Sequence, residues 1–277
     1  MEITSNKKVH SDHNFLITTA ENQNLVLRAT SDNDDVEITI AKNLQDFTIL
    51  LFCYFDKKVT VKFRLEENVN VNIINIYKTS QQDQNCDITY YQSMNSKAKI
   101  YDLNIANTSI LANVNFELAG KKSAVSYYLA SLAVDSNQKT VNLYAHHLAP
   151  QTLSDIKTYS IAKDQSLQQV KCTSHIEKTM AKSEAHQELR LLVFDKTSKA
   201  ISDPILLIDE NDIKASHANA VGMLDPDQIF YLQTRGLTVP QARKLICMGY
   251  FKNVIDAIVD PELQTEIINE IDAEIGE

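Results

Sequence analysis

Four cysteines and seven histidines carry most of the chemistry open to this sequence of 277 residues. Cys53, Cys86, Cys172 and Cys247 are scattered, with no CxxC pair and no regular framework. That pattern reads as reduced thiols, not as a disulfide scaffold. The histidines stand at positions 10, 13, 146, 147, 175, 186 and 217. His146 and His147 are adjacent in an expected strand, so they point to opposite faces and cannot share a site. Cys172 and His175 form a CxxH, but their odd separation also divides them between faces; a metal pair there needs a turn between them. His217 lies in "SHANAVGMLDPDQIFYLQTRGL", with Asp212 five residues before it and Asp225 eight after. On spacing alone it reads as a boundary histidine before it reads as a ligand. Ser/His/Asp catalysis finds no positioned nucleophile.

Glycine is scarce, with five residues in the whole chain. Phosphate-binding loops need clustered glycines so that backbone N–H groups can approach the ligand. Neither GxGxxG nor GxxxxGK[ST] occurs, so the chain is expected to bind no nucleotide itself. GxSxG and HExxH are missing too, which removes the main support for common hydrolase and zinc-protease chemistry. The formal charge of −9 argues against nucleic acid as a partner. No stretch approaches the roughly 20 apolar residues of a membrane span, and the first residues hold no signal-like apolar run. The expected location is the cytoplasm, with no membrane partner.

The elements that must position these residues are mostly strands. "VEITI" (36–40), "VTVKFRL" (59–65), "VNVNIINIY" (69–77), "AKIYDLNIA" (98–106) and "ILANVNFELAG" (110–120) alternate apolar with polar residues. So do "SAVSYYLASLAV" (123–134), "KTVNLYAHHLA" (139–149), "KTYSIA" (157–162), "ELRLLVFD" (188–195) and "PILLID" (204–209). A period of two marks strands with one buried face. No comparable helical stretch interrupts the series, which argues against a βαβ fold. A sandwich, a barrel and a β-helix remain open; stacked coils account best for many strands of similar length. Asn at the outward positions of "VNVNIINIY" suits side-chain ladders between coils.

The pattern changes at residue 224. Asp225, Pro226 and Gln228 spell an N-cap, a first-turn proline and a capping box, and Gly236 supplies a left-handed stop. Thr238 and Gln241 repeat the cap logic, and Ala242, Leu245, Ile246 and Gly249 lie along one side of the next helix. A third helix starts at Asp260 and Pro261, with Leu263, Ile267, Ile268, Ile271 and Ile275 as its apolar stripe. The reading is a β body over 1–223 and a small helical domain over 224–277. So small a domain must dock on the body, on a partner, or on both.

The segment from Ser216 to Phe251 resembles the SufB/SufD family of iron–sulfur cluster assembly proteins. The matching residues are Ser216, His217, Val221, Gly222, Asp225, Gln228, Phe230, Tyr231, Leu232, Arg235, Gly236, Ala242, Gly249 and Phe251. "HLAPQTLS" (147–154), "AKSEAHQELRLL" (181–192) and "PILLIDENDIKASH" (204–217) extend the resemblance upstream. It implies a mainly β fold, a right-handed parallel β-helix followed by a small C-terminal helical domain. Ala218 stands where SufB carries a glutamate, and residues 173–246 hold no cysteine, so the SufD branch is the nearer one. The resemblance implies a non-enzymatic scaffold subunit that pairs with a SufB-type protein and binds a SufC-type ATPase. It implies a transient iron–sulfur cluster at the subunit interface, with His217 as candidate cluster or iron ligand. Ala215 replaces a cysteine common in SufD chains, so imidazole would act there without a local thiol. Phe230, Tyr231, Arg235, Gly236, Arg243 and Phe251 are the candidates for SufC contact or for the motif of the helical domain. The alternatives are a homodimeric Suf scaffold and a carbohydrate-active β-helix protein. The latter should show clustered carboxylates on one face of the stack.

Overall fold

A computed structural model describes residues 2–5, 8–10, 14–29, 34–79 and 83–275. The strands are β1 (Glu2–Ser5), β2 (Lys8–His10), β3 (Asn14–Ile17), β4 (Gln23–Ala29), β5 (Asp34–Ile40) and β6 (Phe47–Phe55). They continue as β7 (Val59–Leu65), β8 (Asn70–Tyr77), β9 (Gln84–Gln92), β10 (Lys97–Asn104), β11 (Ile110–Leu118) and β12 (Ala124–Ala133). The last six are β13 (Gln138–His147), β14 (Leu153–Ala162), β15 (Leu167–Ile176), β16 (Glu184–Val193), β17 (Lys199–Ile208) and β18 (Lys214–Met223). Three helices follow: α1 (Pro226–Thr234), α2 (Val239–Ile255) and α3 (Pro261–Ile275).

From β3 onward, successive strands alternate between two sheets. The first sheet runs β18-β16-β14-β12-β10-β8-β6-β4-β1-β2 and the second β17-β15-β13-β11-β9-β7-β5-β3. Each strand pairs in parallel with the strand two places on, and β1 and β2 pair antiparallel at one end. This is a two-sided parallel β-solenoid, as the resemblance implies. Its inward side chains, among them Leu25, Phe63, Tyr90, Phe116 and Tyr127, form one continuous core.

The coil length drifts. Gln84 pairs with Ile110 and Gln168 with Ala200, and the second pair is distinctly farther apart in sequence than the first. That drift hides the repeat from any fixed-period reading. The strands β6, β9 and β15 escape the alternation of apolar with polar residues as well. In β6, Ile49, Leu50 and Leu51 are buried in succession, and β9 and β15 place polar residues inward: Gln84, Gln92, Gln168 and Ser174.

The turns work with few glycines. Asn43, Asn68, Asn95, Lys122, Asp135, Asp164 and Lys182 take positive φ, the short Asn and Asp side chains tolerating it best. Asn68 donates to Asn43 Oδ1 at 3.0 Å and Asn95 to Asn68 Oδ1 at 3.1 Å, a ladder running up one row of turns. Gly120 is required by proximity: a Cβ there would lie 2.1 Å from Ser93 C and Met94 N.

The alternation of "VNVNIINIY" holds, but its polarity inverts midway. Asn72 is outward, whereas Asn75 is inward and buried. The inversion has a cause on the outside. Over the later halves of these strands, outward Ile74, Ile76, Leu103, Ala130, Leu132 and Ile161 are covered by α2 and α3. Cys247, Phe251, Val254 and Ile255 of α2, with Leu263, Ile267, Ile271 and Ile275 of α3, complete this second core. The stripe expected on α3 is therefore its docking face. On α2 the expected side is only partly right: Ala242 is buried, but Leu245 and Gly249 are exposed. Two apolar faces share that helix at helical spacing, and the sheet covers the one built on Cys247 and Phe251.

The caps also differ in detail. Thr238 and Gln241 form the expected box at α2. Asp225 instead accepts from Asp227 N at 2.9 Å, so no reciprocal bond to Gln228 forms at α1. Gly236, at φ +92°, closes α1 with Leu237 N on Leu232 O at 3.2 Å and Gly236 N on Gln233 O at 2.9 Å. That pair of bonds is the Schellman arrangement. Among the described residues, no helix is long and apolar enough to cross a membrane.

Candidate functional site

The solenoid ends on β17 and β18, each bonded to a sheet neighbour on one side only. Alternate residues of these two ten-residue strands turn unpaired backbone donors and acceptors to the outer edge, the others bonding inward to β15 and β16. Earlier coils are packed, but almost every residue of β18 is exposed, and Ile201, Leu207, Ile208, Val221 and Met223 add apolar surface. A long exposed edge of this kind is a template for pairing unless it is covered.

His217 sits on β18 in register with Gln187 of β16. Gln187 faces the lumen, its amide donating to Ser174 Oγ at 2.8 Å and to Ile205 O at 3.0 Å. Parity of register gives His217 the lumen side at the open end, where it is exposed. The neighbouring Ser216 takes the other face and meets His186 Nδ1 at 2.8 Å.

No thiol of this chain reaches that end. All four cysteines are buried and free. Burial pushes their thiols up in every case, away from the thiolate that binds metal. Cys172 and His175 lie on opposite faces of β15, as their spacing requires: Cys172 is buried and His175 is half-exposed.

The helical candidates separate into three groups. Phe230 and Tyr231 are 67% and 55% exposed on α1, and α1 buries no residue of its own. Leu245 of α2 adds to that open apolar surface at 52%. Arg235 lies over the Tyr231 ring at 5.2 Å and donates to its hydroxyl at 3.1 Å, holding the aromatic in place. Arg243 turns back to the body, donating to Phe194 O at 3.4 Å and lying 3.6 Å from Asp195 Oδ1. Phe251 is fully buried under α2, so it serves the docking of the helix. Gly236 serves the turn after α1.

Sequence spacing alone did not reveal two polar assemblies. In the lumen, Asp102 accepts from Asn75 at 2.6 Å and Tyr127 at 2.7 Å, with Tyr77 at 3.3 Å. Burial raises its carboxyl to about 6, against the pull of those bonds. Nearby, the buried Lys139 ammonium donates to Asn104 O, Asn104 Oδ1 and Ala106 O at 3.1, 2.8 and 2.8 Å. Desolvation lowers it to about 7, with Glu274 the acidic group opposing the shift. On the outer face of the second sheet, Glu117, His146 and His175 stack in register on β11, β13 and β15. His146 and His147 do point apart: His147 is buried on Thr152 and Ser154 at 2.7 and 2.9 Å, and burial lowers it to about 3. His13 lies outside the described residues.

Comparison with known proteins agrees with this architecture. The family described as "SUF system FeS cluster assembly, SufBD core domain" matches residues 40–250. The iron–sulfur cluster assembly protein SufD of Bacillus subtilis is 27% identical over 147 residues, 52% of this chain and 34% of that protein. A SufBD family protein of Mycobacterium tuberculosis is 38% identical over 87 residues, 31% of this chain and 22% of the relative. SufD of Plasmodium falciparum is 22% identical over 219 residues, 78% of this chain and 14% of the relative. The chain thus spans about a third or less of the length of these relatives. With its core matched across most of the solenoid and into α2, the chain belongs to the SufB/SufD family of iron–sulfur cluster assembly proteins, on its SufD branch.

Proposed function

We propose that this chain is a SufD-like scaffold subunit. Its β17–β18 end pairs with a SufB-type protein, and its α1–α2 surface binds a SufC-type ATPase. The observation that carries the reading is the open end of the solenoid, with His217 exposed on its last strand. Backbone pairing there would extend both sheets into the partner and satisfy the free edges. An iron–sulfur cluster forming at that junction is the cargo. This chain offers imidazole to it, a donor suited to borderline metals, and its buried thiols leave sulfur ligation to the partner. ATP hydrolysis belongs to the SufC-type protein, and the scaffold itself performs no catalysis.

The test is coexpression with SufB-type and SufC-type proteins, followed by size exclusion. Replacing Val221 by Pro removes a donor from β18 and should abolish SufB-type pairing. Phe230→Ala with Tyr231→Ala should reduce SufC-type binding. These point changes are better than deletion of 224–277, which would uncover Leu103, Leu132 and Ile161 on the sheet. A complex insensitive to both sets would overturn the proposal. A homodimer through the same edge is the second reading; it predicts that the Val221 variant is monomeric where the unmodified chain is dimeric.

A further inference from the structure

The outer face of the second sheet carries a cluster with no part in the pairing just described. Glu117, His146 and His175 occupy one row, evenly spaced along the chain so that each lands one coil beyond the last. The two imidazoles stack at 5.2 Å between centroids and 12° between planes. Glu177, just beyond β15, sets Oε1 2.9 Å from His146 Nε2 and 3.9 Å from His175 Nδ1.

The remaining ring nitrogens are engaged by other carboxylates. His146 Nδ1 lies 3.3 Å from Glu117 Oε2, and His175 Nε2 lies 3.0 Å from Asp209 Oδ2. A neutral imidazole carries one N–H and one lone pair. If the protons face Glu117 and Asp209, the lone pairs of His146 Nε2 and His175 Nδ1 both face the Glu177 oxygen. The Tyr144 hydroxyl, 3.0 Å from His175 Nδ1, is placed to donate to that lone pair. Two lone pairs turned on a carboxylate oxygen repel it unless positive charge sits among them.

We propose that His146, His175 and Glu177 bind one divalent first-row transition-metal ion. One ligand atom from each lies within 4.8 Å of the others. Closing to metal–ligand bonds of about 2.0–2.2 Å requires only side-chain adjustment. Glu117 and Asp209 orient the two imidazoles from behind, the carboxylate–histidine–metal arrangement that fixes tautomer and raises basicity. Tyr144 or water takes the open position. Three carboxylates balance the dication, and the imidazole pair selects zinc, cobalt, nickel or ferrous ions over magnesium or calcium. Neighbouring parallel strands fix the row spacing, so the site is organised by the solenoid itself.

The experiment titrates the chain of 277 residues, stripped with chelator, with Co²⁺ and Zn²⁺ by calorimetry and visible absorption. One Co²⁺ per chain should bind at this site, without thiolate charge-transfer bands and without competition from Mg²⁺. His146→Gln and His175→Gln should each weaken it by about tenfold or more, and Glu117→Gln and Asp209→Asn by about 10–100-fold. His186→Gln, a half-exposed histidine near a single carboxylate, should change nothing. Circular dichroism and elution volume confirm folding, and Glu177→Gln serves as a further ligand variant if either histidine variant misfolds. Absence of Co²⁺ binding would overturn the proposal. Affinity unchanged in the His146→Gln and His175→Gln variants, or thiolate bands in the spectrum, would overturn it too. Complex formation with Suf partners plays no part in this readout, so the two proposals fail separately.

Discussion

His217 stands one coil beyond Gln187, in register with it, at the point where the solenoid runs out of neighbours. The inner residue is buried with its amide N–H groups held by Ser174 and Ile205, and the outer one is exposed. The same lumen position is structural in one coil and available to a partner in the next. That relationship separates residues that hold this scaffold together from residues free to act, and each gives a different experimental signature.

Asp102 belongs to the first kind. Replacing it by Leu removes the acceptor of Tyr127 and one of the two acceptors of Asn75, which keeps the Tyr90 hydroxyl at 2.9 Å. Leaving those donors unsatisfied should cost roughly 2–4 kcal/mol in urea denaturation. Asp102→Asn keeps an acceptor and should cost less. Equal losses for the two would show that side-chain volume, not the hydrogen bonds, controls the site.

Lys139 gives a pH signature. Its folded value of about 7 lies below the unfolded value of about 10.4. Above pH 7 the unfolded chain binds more protons at this site, so its contribution to stability rises with pH, by at most about 1.4 kcal/mol per unit. Below pH 7 both states are protonated and the penalty is constant. The buried thiols oppose this once the unfolded cysteines ionise near about 8.5. The clean window is therefore pH 7 to 8, measured as the difference between the unmodified chain and Lys139→Met. The variant should lose the positive slope, and identical slopes would contradict the assignment.

Phe251 and Phe230 should behave oppositely. Phe251→Ala opens a cavity between α2 and the first sheet and should cost about 3–5 kcal/mol. Phe230 touches solvent, so Phe230→Ala should stay within about 0.5 kcal/mol while weakening SufC-type binding. Thermal melts and pull-down with the ATPase separate the two effects.

The strands with one apolar face and the three helix starts were legible, because period-two patterning and caps are local signals. The strand β15 was not, since Gln168 and Ser174 turn polar side chains inward. The exposed side of α2 was misassigned because Leu245 and Cys247 both have apolar neighbours at helical spacing, and only the docked sheet chooses between them. At the open end, His217 was legible through the motif around it, not through its own spacing. The row of Glu117, His146 and His175 was hidden for a related reason. Its even spacing is the local coil length, but coils before it are shorter and coils after it longer, so that spacing is not recognisable as a repeat until the register is known.

The most direct test of the scaffold reading is anaerobic coexpression of this chain, unmodified or carrying His217→Ala, with SufB-type and SufC-type proteins. Each complex is isolated by size exclusion and assayed for iron and sulfide. The account predicts that the His217→Ala complex elutes as the unmodified one does and holds about tenfold less iron and sulfide. An intact complex with undiminished iron and sulfide, or loss of the complex itself, would contradict it.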